Sequence, residues 1–226
     1  TSPFSWLEAG YRYTEQKTRK YGPFIYSGNQ TLKDKGFDIK FRVLEESFYL
    51  PSVAIGVRDM AGTGLFSGEY IVGSKKFGHL DLSVGIGWGL LGADGNIKNP
   101  LTSLHEGFET RSASYGTEGG EFNVADWFSG ERAALFGGFE YSFPKQGLSL
   151  KLEYDTSNPD LGISGPAMEV KNRFNIGVTR SFGKFLDLGL SFERGTQVRF
   201  SFVMKGNYAK EGMVPKLEAP KNVIPL

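Results

Sequence analysis

The sequence predicts an all-β fold: an antiparallel transmembrane β-barrel of about ten strands, with short periplasmic turns and long extracellular loops. Apolar and polar residues alternate with a period of two in ten segments, which is the pattern of strands with one apolar face. Every second connection between these segments is short, as in transmembrane barrels. No apolar run approaches the roughly 20 residues that a transmembrane helix requires.

The clearest segment is residues 80–92, LDLSVGIGWGLLG. Its apolar face carries Leu80, Leu82, Val84, Ile86, Trp88 and Leu90. Its other face carries Asp81, Ser83, Gly85, Gly87 and Gly89. We expect the large residues, Trp88 included, to face lipid. The small ones then face a narrow lumen, where they leave room for long charged side chains of other strands.

The first four segments lie at about 5–15, 37–45, 52–59 and 65–75. Their large residues at alternate positions are Leu7, Ala9, Tyr11 and Tyr13; Phe37, Ile39, Phe41 and Val43; Val53, Ile55 and Val57; Phe66, Tyr70 and Val72. The fourth segment is the least regular, because Ile71 falls on its polar face with Ser67 and Glu69.

The last five segments lie at about 133–142, 148–155, 172–181, 185–193 and 198–205. Residues 148–155 are very regular, with leucine or tyrosine at every second position. The large residues of the other four are Leu135, Phe139 and Tyr141; Phe174, Ile176 and Val178; Leu186, Leu188, Leu190 and Phe192; Val198, Phe200, Phe202 and Met204.

The connections fall into two classes. The short ones lie at about 46–51, 76–78, 143–147 and 182–184, and the others are the long stretches 16–36, 92–132 and 156–171 together with shorter ones near 60–64 and 194–197. Each short turn carries an aromatic residue, and these are Phe48, Tyr49, Phe77, Phe143 and Phe182. Aromatic residues at one level are what an interfacial girdle requires.

Alternation alone does not say whether the apolar face meets lipid or a protein core, so a soluble β-barrel that binds a small apolar ligand stays open. Strands of about nine to eleven residues match a tilted membrane crossing. A polar face of glycine, serine and charges of both signs suits a narrow lumen. These features, together with loop lengths and aromatic turns that alternate in step with the strands, favour the membrane barrel.

We expect the inward charges to form an ion-pair network inside a barrel too narrow for an open channel. The residues of this predicted network are Glu8, Arg12, Asp38, Lys40, Arg42, Arg58, Glu69, Glu153, Arg173, Glu193 and Arg199. The long loops carry aromatic residues that either contact a glycan or partner protein or pack the loops over the barrel mouth. These are Tyr21, Phe24, Tyr26, Phe108, Tyr115, Phe122, Trp127 and Phe128.

The composition excludes several kinds of site. The chain has 226 residues, a net charge of +1 and no cysteine. No global positive field indicates nucleic acid, and disulfides, thiolate metal sites and cysteine nucleophiles are ruled out. His79 lies in a predicted turn, and His105 lies in a long loop near Glu106, Glu109, Glu121 and Asp126, which is a weak pattern for catalysis. We expect no cofactor, no metal and no enzyme activity.

Residues 35–92 resemble the YjbH family of outer-membrane proteins for exopolysaccharide and capsule production. The most specific part is Arg58-Asp59, then GTGLFS at 62–67 and Glu69-Tyr70. Trp6-Leu7-Glu8 is similar to the start of the family's opening strand. The resemblance implies a Gram-negative outer-membrane location and a role in polysaccharide secretion or assembly. Family members are usually longer lipoproteins, and no catalytic residues carry over.

We therefore expect a barrel domain over 1–205 and a polar linker or tail over 206–226 leading to a further domain, in a chain that begins as a processed or excised piece. The predicted function is a non-enzymatic part of exopolysaccharide or capsule export. Outer-membrane lipid, the polymer and other export proteins are the predicted partners. A barrel enzyme acting on polysaccharide or lipid is the alternative.

Overall fold

The computed structural model describes residues 4–62, 64, 66–112, 124–157 and 169–206, apart from the side chain of Thr18. The part of the chain predicted as a linker, from 207 onward, lies outside the described residues. The strands are β1 (Leu7–Lys20), β2 (Thr31–Leu44), β3 (Ser52–Met60), β4 (Gly68–Phe77), β5 (Leu80–Gly87), β6 (Ile97–Lys98), β7 (Arg132–Phe143), β8 (Leu148–Tyr154), β9 (Phe174–Phe182), β10 (Leu186–Glu193) and β11 (Gln197–Met204). One short helix, α1 (Phe24–Ser27), and several single turns of 3₁₀-helix complete the described elements.

The strands form one antiparallel sheet in the order β1-β2-β3-β4-β5-β7-β8-β9-β10-β11, and the two-residue β6 pairs with β7. The prediction of an all-β antiparallel fold is confirmed, and each of the ten predicted segments contributes a strand to this order. Within the described ranges β1 and β11 pair with one neighbour each and not with each other, so the sheet is not closed.

The predicted loop at 16–36 is wrong. β1 and β2 continue past the end of β3, and their pairing runs on through Glu15↔Lys33 and Gln16↔Leu32 to a turn that contains α1. These residues lack apolar alternation, but main-chain pairing needs none, and Leu32 is buried in the hairpin. We call residues 14–35 the hairpin arm.

The prediction that Trp88 faces lipid is also wrong. β5 ends at Gly87, and Trp88 begins a 3₁₀ turn at Gly89–Gly92. Its side chain is only 1% exposed. The indole Nε1 donates to Asn99 Oδ1 at 2.9 Å, and the ring of Phe128 packs edge-on at 5.2 Å. The long connection that follows β5 thus folds back and covers this residue.

In β4 the two faces are interchanged relative to the prediction. We call the face of the sheet that carries the exposed apolar side chains the outer face and the opposite one the inner face. Ile71 pairs with Ile55 and Ile86 on the outer face, whereas Tyr70 pairs with Gly56 and Gly87 on the inner face. The segment is ambiguous because both of its faces carry large apolar residues, so only the neighbouring strands decide which face points inward.

Burial is reversed compared with a water-soluble protein. The buried apolar residues of the described ranges are few, and three of the six are alanines: Leu32, Ala54, Val57, Trp88, Ala133 and Ala134. The outer face carries many exposed large apolar side chains, such as Val84 (55%), Ile176 (58%) and Phe202 (65%). The buried polar residues are Arg19, Asp34, Asp59, Glu69, Asn99, Ser129, Thr156 and Asn175. No described helix has the length and apolar character needed to cross a membrane.

Candidate functional site: a polar cavity inside the curled sheet

The sheet curls around a cavity of about 590 Å³. Its wall includes Glu8 of β1 and Arg199 of β11, so the two edge strands of the sheet border the same space. β2, β3, β4 and β7 to β10 also contribute residues to the wall. The inner face of the sheet therefore borders this cavity from one edge strand to the other.

The glycines of the inner face make room for aromatic rings. A Cβ atom at Gly56 would collide with the ring of Tyr70, and one at Gly85 would collide with the ring of Phe136. Tyr70 and Phe136 pack edge to face, with ring centroids 6.4 Å apart, and both line the cavity. The small residues of the 80–92 segment were predicted to leave room for long charged side chains. In the structure, Gly85 leaves room for an aromatic ring instead.

Charged side chains on one part of the wall are paired. Lys40 of β2 contacts Glu8 of β1, and the Arg58 guanidinium lies 3.7 Å from Asp38. These side chains are partly exposed to the cavity, so each pair stabilises the fold only modestly. This part of the wall therefore presents both positively and negatively charged groups that can form hydrogen bonds.

The opposite part of the wall is built around Arg194 and Asn175. The Arg194 side chain lies 3.3 Å from Asp155, and its backbone N–H donates to Asn175 Oδ1 at 2.8 Å. Asn175 Nδ2 donates in turn to Glu153 at 3.2 Å. Arg199 pairs with Glu193 at 3.6 Å. Asn175 is buried, so its amide fixes the neighbouring groups in place.

At the base of the hairpin arm, Arg12 lies among three aspartates. Its guanidinium is 3.3 Å from Asp59, 3.6 Å from Asp38 and 3.9 Å from Asp34, and the ring of Phe66 covers it at 4.9 Å. Asp59 has a positive φ of 58°, which lets its carboxylate accept the Phe66 N–H at 3.0 Å while its own N–H donates to Asp38. This cluster joins the arm to β3.

The residues predicted as a network are thus distributed over several places. Seven of them line the large cavity, and they are Glu8, Asp38, Lys40, Arg58, Glu153, Glu193 and Arg199. Arg42 lines a smaller cavity of about 250 Å³ near the short turns. Arg12 lies in the aspartate cluster, and Arg173 binds Asp94 at 2.8 Å.

Glu69 is the exception, because the structure places it on the opposite face of β4 from the cavity. Its carboxylate is fully buried and accepts from Arg111 at 2.7 and 2.9 Å and from the Phe128 N–H at 2.8 Å. It holds the connection between β5 and β7 against the sheet. The interchange of the two faces of β4 explains the difference.

The predicted loop aromatics divide by position. Tyr21, Phe24 and Tyr26 are strongly exposed at the end of the hairpin arm. Phe108, Trp127 and Phe128 are half-buried in the β5–β7 connection. Tyr115 and Phe122 lie outside the described residues.

The histidines are placed apart from the cavity wall. His79 lies in the β4–β5 turn, with its ring 6.4 Å from that of Tyr141. His105 accepts the Gly107 N–H on Nδ1 at 2.9 Å and so caps a 3₁₀ turn. Among the described residues no group of three or more acidic or histidine side chains is arranged to hold a metal ion.

Sequence reasoning missed several residues that shape the site. Tyr70 and Phe136 fill the space above the glycines, and Arg194 and Asp155 form a wall pair. Arg194 comes immediately after a predicted strand, in a short connection, and this position could have indicated that its side chain lies at the end of the cavity wall. No pattern in the sequence indicated the role of Arg111, because this residue lies 42 residues from Glu69 along the chain.

Comparison with known proteins identifies the family. The family described as "Exopolysaccharide biosynthesis protein YbjH", the YjbH family, matches residues 1–225. The "Uncharacterized lipoprotein YjbH" of Escherichia coli (strain K12) is 45% identical over 206 residues, which cover 91% of this chain and 29% of that relative. No solved structure matches the chain. The chain thus spans less than a third of the relative, and it belongs to the YjbH family of exopolysaccharide biosynthesis proteins.

Proposed function

We propose that this chain forms a ten-stranded barrel in the bacterial outer membrane and serves there as a non-enzymatic component of exopolysaccharide secretion or assembly. The observation that carries the proposal is the reversed burial. Large apolar side chains cover the outer face, whereas charged and polar groups are buried or line the cavity. This is the distribution expected when lipid surrounds the sheet.

The strand directions are compatible with closure of the barrel. An even number of strands in the main order makes β1 and β11 antiparallel to each other, and both edges already border one cavity. An open edge in lipid leaves main-chain groups without partners, at a cost of several kcal/mol per group, so closure by β1–β11 pairing is strongly favoured in a membrane.

The cavity suits contact with a hydrated polymer better than catalysis. Its wall carries carboxylates, arginines and an amide in mutual contact, together with the rings of Tyr70 and Phe136. Such a surface offers hydrogen bonds and an aromatic face to sugar hydroxyls and C–H groups. The family's link to exopolysaccharide biosynthesis supports a glycan as the polymer.

Replacement of Val84 by arginine tests the membrane part of the proposal. Val84 is 55% exposed in the middle of β5, so Val84→Arg costs almost nothing if water surrounds the sheet. In lipid the same change costs about 2–4 kcal/mol. We expect the full-length Val84→Arg protein to be depleted from detergent-extracted outer membranes, with Val84→Leu as the matched control. Equal amounts of both variants contradict a lipid-facing β5.

Purification from detergent-solubilised outer membrane tests the secretion part. We expect exopolysaccharide or another export protein to co-purify with the full-length protein. Deletion of its gene should lower the amount of polymer in the medium. A protein that purifies without glycan or export partner, from cells whose polymer output is unchanged by the deletion, contradicts this role. Extraction without detergent favours a soluble ligand-binding barrel instead.

A further inference from the structure

The outer face of β1 and β2 changes character in a fixed order towards the hairpin arm. Nearest the short turns the cross-strand pairs are apolar, with Leu7 opposite Phe41 and Ala9 opposite Ile39. The next outward pair is aromatic, Tyr11 opposite Phe37, with ring centroids 5.6 Å apart. Beyond this pair, charged residues occupy most of the outward positions, and Tyr13 is an aromatic exception.

Three lysines occupy the outer surface beyond the aromatic pair. Lys35 lies opposite Tyr13, Lys33 lies opposite Glu15, and Lys17 follows on β1. All three are exposed, and within the described ranges none of them forms an ion pair. Glu15 accepts a hydrogen bond from Thr31. The exposed outer side of the arm therefore carries a net positive charge.

The inner side of the arm has the opposite arrangement. Asp34 and Arg19 are buried, and Asp34 lies within 3.9 Å of Arg12. The inward-pointing Asp34 therefore lies next to a cation of the same protein. Lys17, Lys33 and Lys35, which lack an ion-pair partner among the described residues, lie on the side that faces outward, away from the cavity, so their charge is directed at something outside the sheet.

The spacing matches the layers of a membrane leaflet. Lys35 lies two residues beyond Phe37, which is about 7 Å along a strand, and Lys33 lies about 13 Å beyond it. The headgroup layer on each side of the hydrocarbon is roughly 5–8 Å thick, and interfacial aromatic residues mark its inner limit. When Tyr11 and Phe37 lie at the interface, Lys35 is therefore at the level of the phosphates, and Lys33 and Lys17 follow on the aqueous side of that level.

We propose that Lys17, Lys33 and Lys35 form a docking surface for the phosphorylated headgroups of lipids in the leaflet on the long-loop side. The proposal rests on the membrane insertion proposed above. Ammonium groups near an anionic membrane surface each contribute about 1 kcal/mol, which is about fivefold in affinity. Three together predict a preference for phosphorylated lipid of tenfold or more.

Native mass spectrometry of the full-length protein in detergent tests this surface. The protein is titrated with bisphosphorylated lipid A and, separately, with the same lipid after removal of its phosphates. We expect at least a tenfold preference for the phosphorylated form, weakened by 0.5 M salt. The triple variant Lys17→Gln, Lys33→Gln and Lys35→Gln should lose this preference. The control variant Lys98→Gln, Lys145→Gln and Lys184→Gln changes three exposed lysines away from the arm, and it should keep the preference for the phosphorylated lipid.

The outcomes separate the two proposals. A wild-type protein that stays in solution without detergent overturns both. A detergent-requiring protein with no phosphate preference, or an arm variant that keeps the preference, overturns the lysine surface alone. A soluble polyuronate tests the remaining partner class. If the arm variant loses binding to polyuronate but keeps its preference for phosphorylated lipid, the surface serves an acidic glycan and the lipid proposal is wrong.

Discussion

At Gly56 the sheet has no room for a side chain, because the ring of Tyr70 lies over the backbone of β3 at this point. The same relation holds between Gly85 and Phe136. Single glycines thus decide where aromatic rings enter the cavity. In β3 and β5 a glycine lies under an aromatic ring from the neighbouring strand, and these two rings give the cavity its aromatic side.

We expect Gly56→Ala to destabilise the protein by about 1–3 kcal/mol, because the new methyl group collides with Tyr70. The free energy of unfolding in urea, measured on the full-length protein in detergent, checks this. Gly10→Ala is the matched control, since a Cβ atom at Gly10 meets nothing within 4 Å. The double variant Gly56→Ala, Tyr70→Ala should show a coupling that recovers part of the loss. Equal stabilities for the two alanine variants contradict the predicted clash.

At the level of elements, two groups of polar contacts hold the connection between β5 and β7 against the sheet, one around Asn99 and one around Glu69. Asn99 accepts from the Trp88 indole and donates to the backbone oxygens of Phe108, Phe128 and Gly130. The second group is the buried ion pair between Glu69 and Arg111. Removal of one partner from a buried pair leaves an uncompensated charge and costs about 3–5 kcal/mol.

We expect Glu69→Gln to loosen this connection, because Arg111 then loses its charged partner. Limited proteolysis should cleave the variant between residues 92 and 131 at least tenfold faster than the wild type. Glu109→Gln removes an exposed carboxylate from the same connection and serves as the control. Cleavage of both variants at the wild-type rate contradicts a fastening role for Glu69.

The elements also show how far the sequence could predict the fold. The alternation of Leu148, Leu150 and Leu152 identified β8 and its faces, because one face of that strand is apolar throughout. The faces of β4 were not predictable in this way, since Tyr70 and Ile71 are both large and apolar. The extent of the arm was missed for another reason: main-chain pairing beyond the sheet requires no apolar pattern.

The candidate site was predictable where charges lie on regular strands. Glu8, Lys40 and Arg199 line the cavity because their strands alternate cleanly, so an inward position follows from the period of two. Glu69 was misplaced because its partner Arg111 lies in a connection without a regular pattern. The burial of Trp88 depends on the same connection, and no local rule specifies how that segment folds back.

For the whole molecule, the arrangement of polar and apolar surface is the main finding. A curled antiparallel sheet surrounds a polar cavity and presents apolar side chains outward, and Phe48 and Tyr49 in a short turn are both 86% exposed. In water such an outer face favours aggregation, whereas in a membrane it gains the full hydrophobic contribution. Membrane insertion, barrel closure and contact with lipid headgroups are therefore connected proposals.

Accessibility of spin labels in lipid bilayers tests this central claim most directly. Single cysteines are introduced at Val84 and Ile176 on the outer face and at Ser83 and Thr179 on the inner face, in full-length protein with no other cysteine. We predict that labels at 84 and 176 collide more readily with oxygen, which concentrates in lipid, than with a water-soluble nickel chelate. Labels at 83 and 179 should show lower oxygen contact. If the outer labels collide with the nickel chelate as freely as sites exposed to water, the sheet does not face lipid and the account is contradicted.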